Sequence, residues 1–112
     1  MMDGPLKERD WKYMRSIHDE MLHKLCENIN RRAVEIVTSG SGNSHEQYLS
    51  LYRHIQDSDE IIEVCFNDWK RSRLTDRILF LRRYGLLTDR HVKNLTSEGQ
   101  AWLKMMEEMG RE

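Results

Sequence analysis

The stretch WKYMRSIHDEMLHKLCENINRRAVEIV, residues 11–37, decides the fold. It contains neither Gly nor Pro. At about 100° per residue, Trp11, Met14, Ile17, Met21, Leu22, Leu25, Cys26, Ile29, Ala33, Ile36 and Val37 fall on one side of a helix. A helix of that length is a rod of roughly 40 Å, whereas a compact domain of this size is roughly 35 Å across. The apolar stripe runs the full rod and needs more cover than the rest of the chain readily supplies. A second copy is the simplest remedy, so the sequence predicts a homodimer joined through Trp11, Met14, Ile17, His18, Met21, Leu22, Leu25, Ile29, Arg32 and Ile36. His18 and Arg32 interrupt the stripe, and their expected role is to set register, with acids elsewhere answering Arg32.

Working outward, 112 residues predict one domain, and a 38% hydrophobic content is enough for a modest core. Charged residues make up 33%, and no apolar run approaches the roughly 18 residues of a spanning helix, so no membrane is expected. The start, Met1-Met2-Asp3-Gly4-Pro5, is too brief and too acidic for a targeting segment. Cys26 and Cys65 lie within helical patterns and form no CxxC, which fits buried thiols in a reducing, cytoplasmic protein.

Local signals divide the chain into an all-α bundle. Asp3 or Gly4 before Pro5 starts a first helix of about 6–38. Thr38-Ser39-Gly40-Ser41-Gly42-Asn43-Ser44 is a flexible connector. Ser44 with Gln47 forms a capping box for a helix of about 45–56 with Tyr48, Leu51, Tyr52 and Ile55 on one face, and Asp57-Ser58-Asp59-Glu60 reads as a turn or as an acidic patch in a continuous helix. Residues 59–84 follow as one helix, or as two broken near 67–72 with Ser72 as the new N-cap. Gly85-Leu86 is a Schellman stop. Thr88 caps a short turn over 89–95 that turns Val92 and Leu95 inward. Thr96 opens a helix of about 97–109, with Ala101, Trp102, Leu103 and Met106 on its buried side, and the last residues from Gly110 fray.

No constellation points to catalysis, a metal or a cofactor. His18 and His23 are five residues apart, about 140° around a helix, unlike the HExxH spacing. Asp19, His23 and Cys26 or Glu27 have ligand-like spacing, but that pattern is also an ordinary solvated helix face. The five histidines form no nucleophile–base pair, and Gly40-Ser41-Gly42 lacks the strand and the Gly-Lys-Ser/Thr of a phosphate loop.

Charge is uneven. Residues 68–93 hold Lys70, Arg71, Arg73, Arg77, Arg82, Arg83, Arg90 and Lys93 against Asp68, Asp76 and Asp89, a local +5 in a chain of net charge −1. Trp69, Lys70, Arg71, Arg73, Arg77, Phe80, Arg82, Arg83 and Tyr84 therefore form the expected partner-binding face, rich in the residue types that dominate protein hot spots. The same arginines have a bland alternative, pairing with Asp57, Asp59, Glu60 or Glu63 in the same chain or across the dimer.

Ile61-Ile62-Glu63-Val64-Cys65, then Ser72-Arg73-Leu74-Thr75-Asp76-Arg77 through Gly85-Leu86-Leu87, resembles a helix-turn-helix, and Leu95-Thr96-Ser97-Glu98-Gly99 resembles the helix start after the wing of winged-helix DNA-binding domains. The resemblance covers residues 58–104. It implies duplex DNA as a partner, with Arg71, Arg73 and Arg77 toward the major groove or the phosphates. The expected function is thus a non-catalytic interaction or regulatory dimer, with a DNA-binding regulator as the alternative and a metal-binding or enzymatic helical protein as the second alternative.

Overall fold

A computed structural model describes residues 5–40 and 42–110. The helix start at Asp3 or Gly4 and the fraying expected of 111–112 lie outside them, whereas Gly110, also expected to fray, closes the last helix. The chain is all-helical: α1 Glu8–Thr38, α2 Ser44–Phe66, a 3-10 turn Arg71–Arg73, α3 Leu74–Arg83, α4 Asp89–Val92 and α5 Ser97–Gly110.

The core occupies one end of the molecule. From α1 it takes Met14, Ile17, Met21 and Leu25, from α2 Cys65 and Phe66, and from α3 Leu74, Ile78 and Leu81; Leu86, Leu87, Leu95 and Leu103 close it from the C-terminal side. Burying such a side chain contributes about 1.5–3 kcal/mol. Among the described residues none from 26 to 57 is fully buried. Those residues form an arm, in which the far part of α1 and the near part of α2 run antiparallel beyond the body. The shape reflects this: the molecule measures 55 × 30 × 23 Å with a radius of gyration of 17.1 Å, against roughly 13 Å for a compact chain of this length.

The N-terminal half of the α1 stripe is therefore covered within the chain, contrary to the expectation that it needs a second copy. Met14 is 0% and Met21 1% exposed. The premise failed because α3, α4 and α5 are gathered against that half, leaving the other half packed, among the described residues, against α2.

Four boundaries differ from the sequence reading. The first helix starts at Glu8, where the Lys7 backbone N–H is taken by Asp10 Oδ2 at 3.0 Å. Asn43, not Ser44, caps α2, its side chain accepting from Glu46 N at 2.8 Å. α2 then runs unbroken through Asp57-Ser58-Asp59, because Ser58 Oγ returns its proton to His54 O at 2.7 Å instead of capping a new helix. Ser72 lies inside the 3-10 turn and is not a cap.

The break between α2 and α3 falls at residues 67–70. Asn67 turns extended, and Asp68 takes a left-handed φ of 55°, a conformation its short polar side chain tolerates. The stop at Gly85 is a Schellman end: φ is 75°, Leu86 N bonds Leu81 O at 2.9 Å, and Gly85 N bonds Arg82 O at 3.1 Å. α4 is shorter than the predicted 89–95, although Leu95 is buried and Val92 half-buried. On α5, Leu103 is buried and Trp102 and Met106 half-buried, but Ala101 is exposed.

Candidate interaction surface

The expected basic face is divided by the fold into structural and free residues. Arg77 is 6% exposed and donates to Val64 O in the last turn of α2, satisfying a helix-end carbonyl at the negative end of the dipole. Arg82 clasps three elements, donating to Glu107 Oε2 at 2.8 Å, to Leu87 O at 3.0 Å, and to Asp89. Burial opposes its charge, yet the bonds to Asp89 and Glu107 hold it more firmly protonated than usual, and the Arg82 hydrogen bond holds the Asp89 carboxyl below its ordinary range. Arg71 Nε donates to Glu8 Oε1 at 2.9 Å. Trp69 is half-buried against Trp11, Phe66 and His18, with ring centroids 6.2, 5.8 and 4.6 Å away.

Lys70, Arg73, Arg83 and Tyr84 stay exposed, with Phe80 half-buried. Lys70 reaches Asp68 at 3.8 Å and Arg73 reaches Asp76 at 4.0 Å, both loose surface contacts. Within the chain, among the described residues, the acids answering the arginines of this segment are Glu8, Asp76, Asp89, Glu107 and, for Arg90, Glu20, and not Asp57, Asp59, Glu60 or Glu63. The span where a wing would stand holds α4, and the described residues contain no strand.

The predicted dimer residues divide in the same way. Met14, Ile17, Met21 and Leu25 belong to the core, with Trp11, Leu22 and Ile29 packed at its margin. His18 packs edge-on against Phe66 and Trp69 and reaches Asp19 through Nδ1 at 2.8 Å. Arg32 is exposed and pairs with Glu35 of its own helix at 3.1 Å. Ile36 is half-buried at the arm's end.

That arm carries six of the nine large hydrophobic side chains left exposed among the described residues: Val34, Val37, Tyr48, Leu49, Tyr52 and Ile55. His54 Nε2 bonds Ile29 O at 2.9 Å and ties its two helices together. To one side of this seam lies a polar cleft of about 690 Å³, lined by Arg32, Glu35, Ser50, Arg53, His54 and Asp57. The opposite side is apolar: Ala33 and Val37 of α1 with Tyr48, Tyr52 and Ile55 of α2, and Val34 on the rim. Val34 is 58%, Val37 47%, Tyr48 60%, Tyr52 52% and Ile55 42% exposed. Tyr48 and Tyr52 stack with centroids 6.4 Å apart. Together these side chains expose on the order of 500 Å², near the top of what monomers leave uncovered and a large share of the roughly 800 Å² each partner gives a standard interface. The α1 wheel placed Ala33, Ile36 and Val37 on the apolar side, and the pattern of the second helix put Tyr48, Leu51, Tyr52 and Ile55 on one face; of those four only Leu51 is half-buried.

Two polar knots escaped the sequence reading. Asp10 is 1% exposed; besides Lys7 N it accepts from Thr96 N at 2.7 Å and Thr96 Oγ1 at 2.8 Å, pinning the α5 start to the α1 start. Thr96 Oγ1 in turn accepts from Gly99 N at 3.1 Å, so the Leu-Thr-x-x-Gly motif here is a helix cap seated on a buried carboxylate. His91 is likewise buried; its Nδ1 accepts from Thr88 N at 3.0 Å, which places the proton on Nε2, facing Glu20 Oε2 at 2.7 Å. That hydrogen bond holds the Glu20 carboxyl below its usual range. Nothing in the local sequence pattern distinguishes Asp10 or His91 from surface residues, because each is defined by a partner more than seventy positions away.

Among the described residues no three His, Cys, Asp or Glu side chains converge on a metal position. His23 sits 3.8 Å from Glu27 as a surface pair. No helix among them is long and apolar enough to cross a membrane. Comparison with protein-family models, curated proteins and solved structures gave no match.

Proposed function

We propose that the chain is a non-catalytic interaction protein that works as a helical homodimer. Its assembly surface is the apolar face of the arm, and the exposed remainder of α3 and its approach, Lys70, Arg73, Phe80, Arg83 and Tyr84, receives a second protein. One observation carries the reading: Val37 of α1 and Tyr48, Tyr52 and Ile55 of α2, with half-buried Ala33 beside them, stand uncovered on an arm that contributes no fully buried residue to the core. A two-helix hairpin buries only the seam between its helices, and a second hairpin completes a four-helix bundle. Sedimentation equilibrium from 1 to about 100 µM tests the assembly (a range ordinary for transient and stable dimers). Twice the chain mass at the upper end is expected; a monomer throughout refutes it.

Duplex DNA is the second reading, supported by the exposed Lys70, Arg73 and Arg83. Phosphate contacts make affinity fall steeply as salt rises from 50 to about 200 mM. Retention on DNA at low salt that is lost over this range favours this reading, and no retention at low salt removes it.

A further inference from the structure

The apolar face of the arm does not end with the arm. Arg15 and Ala33 are eighteen residues apart, about five turns, and so share one azimuth on α1; Tyr48 and Phe66 do the same on α2. Followed toward the body, the face passes Cys26, Asp59 and Asp19 and reaches Lys12, Arg15 and Lys70 beside Trp11 and Trp69. Its far end is apolar, whereas its middle and near end carry the charged, exposed Lys12, Arg15, Asp19, Asp59 and Lys70 around half-buried Cys26, Trp11 and Trp69.

We propose that two copies join arm to arm in antiparallel fashion, with the bodies at opposite ends of a bar. This rests on the homodimer proposed above and fixes its geometry. A two-fold dimer is isologous. With the axis along the arms, α1 of one copy lies over α2 of the other along the full length, so the charged and exposed Lys12, Arg15, Asp19, Asp59 and Lys70 would all be drawn into the seam and desolvated. With the axis across the arms only the distal part overlaps, and that part holds the uncovered apolar residues. Centring the axis on the patch puts Tyr52 against its own copy and Tyr48 over Ile55 of the second chain. The exposed Asp59 then lies opposite the exposed His45 of the second chain, a complementary pair at each rim. The two α3 faces point away from one another at the ends, so one dimer holds two partner molecules apart instead of side by side.

Distance measurement between spin labels tests this on the full chain. Ser16, exposed on the body half of α1, is labelled as Ser16→Cys in a Cys26→Ser background, with buried Cys65 left in place. At about 1.5 Å per residue the antiparallel dimer separates the two labels by roughly 45 Å, and the parallel one by under about 25 Å. The long distance at a dimeric mass supports the proposal. A short distance at a dimeric mass overturns the antiparallel geometry and leaves the homodimer standing. A monomeric mass with no dipolar coupling overturns both.

Discussion

Replacing Asp10 is the severest single-atom-scale test of the fold, because one buried carboxylate holds the starts of α1 and α5 together. Its Oδ2 accepts from Lys7 N at 3.0 Å and Thr96 Oγ1 at 2.8 Å, and its Oδ1 from Thr96 N at 2.7 Å. In Asp10→Ala, the Thr96 N–H is left buried without a partner, and Lys7 loses its acceptor at a part-buried position. Hydrogen bonds to a charged group contribute about 1.5–3 kcal/mol each, and a negative charge at a helix N-terminus adds about 0.3–1 kcal/mol. Release of the carboxylate from its buried site offsets part of this. The net loss is therefore about 3–4 kcal/mol, within the range of a broken buried network. For a chain of this size it lowers Tm by roughly 10–20 °C. Asp10→Asn keeps the volume and one carbonyl acceptor but turns an NH₂ toward two donors, so about half that loss is expected. Thermal and urea unfolding followed by circular dichroism read both variants. A change below about 0.5 kcal/mol in Asp10→Ala, the size of an ordinary surface substitution, refutes the reasoning.

Three further outcomes follow from named contacts. Gly99→Ala gains about 1 kcal/mol in helix propensity, but its Cβ would stand 3.1 Å from Asp10 Oδ2 and 3.3 Å from Leu6 Cδ2; a net loss of about 1–2 kcal/mol from crowding is expected in the same melt, and a stabilised variant contradicts the packing. Glu20 and Asp89 both have lowered carboxyl pKa values, through the hydrogen bonds from His91 and Arg82 respectively; their stabilising contribution is fully present above about pH 5 and is lost as pH falls through the ordinary carboxylate range toward about pH 3. Arg82→Met should flatten that acid limb in a urea titration, and an unchanged limb contradicts it. Burial pushes the Cys65 thiol up to about 11, leaving about one thiolate in a thousand at pH 8; in the native chain a thiol reagent should modify half-buried Cys26 first, and Cys65 only after denaturant.

Local signals read well where the deciding partner lies within a turn. Gly85-Leu86, the Thr88 cap, the Thr96 cap and the 38–44 connector are all set by neighbours three to five residues away. Asp57-Ser58-Asp59-Glu60 left a turn and a continuous helix open for the same local reason: the Ser58 hydroxyl can cap a new helix or bond back to the preceding turn, and the second won. The charged residues were illegible because tertiary position alone separates them. Arg77 and Arg73 share spacing and chemistry, yet one seals the end of α2 and the other faces solvent. Asp10 and Asp19 look alike in the helix pattern, yet only Asp10 meets Thr96. The stripe of α1 was read correctly as apolar, but a single-helix wheel does not tell which half the same chain covers.

Whether the arm is an assembly surface is tested most directly by the mass of Tyr52→Glu/Ile55→Glu measured beside the unaltered chain, with both melts recorded. Neither residue belongs to the core, so the melt should keep its shape, apart from the stabilisation a dimer adds by mass action. A carboxylate forced into a desolvated apolar interface without a partner opposes association strongly. The account predicts a dimer for the unaltered chain and a folded, helical monomer for the variant. A variant that stays dimeric with an unchanged melt would show that the two copies, if they meet, do so elsewhere, and would contradict the account.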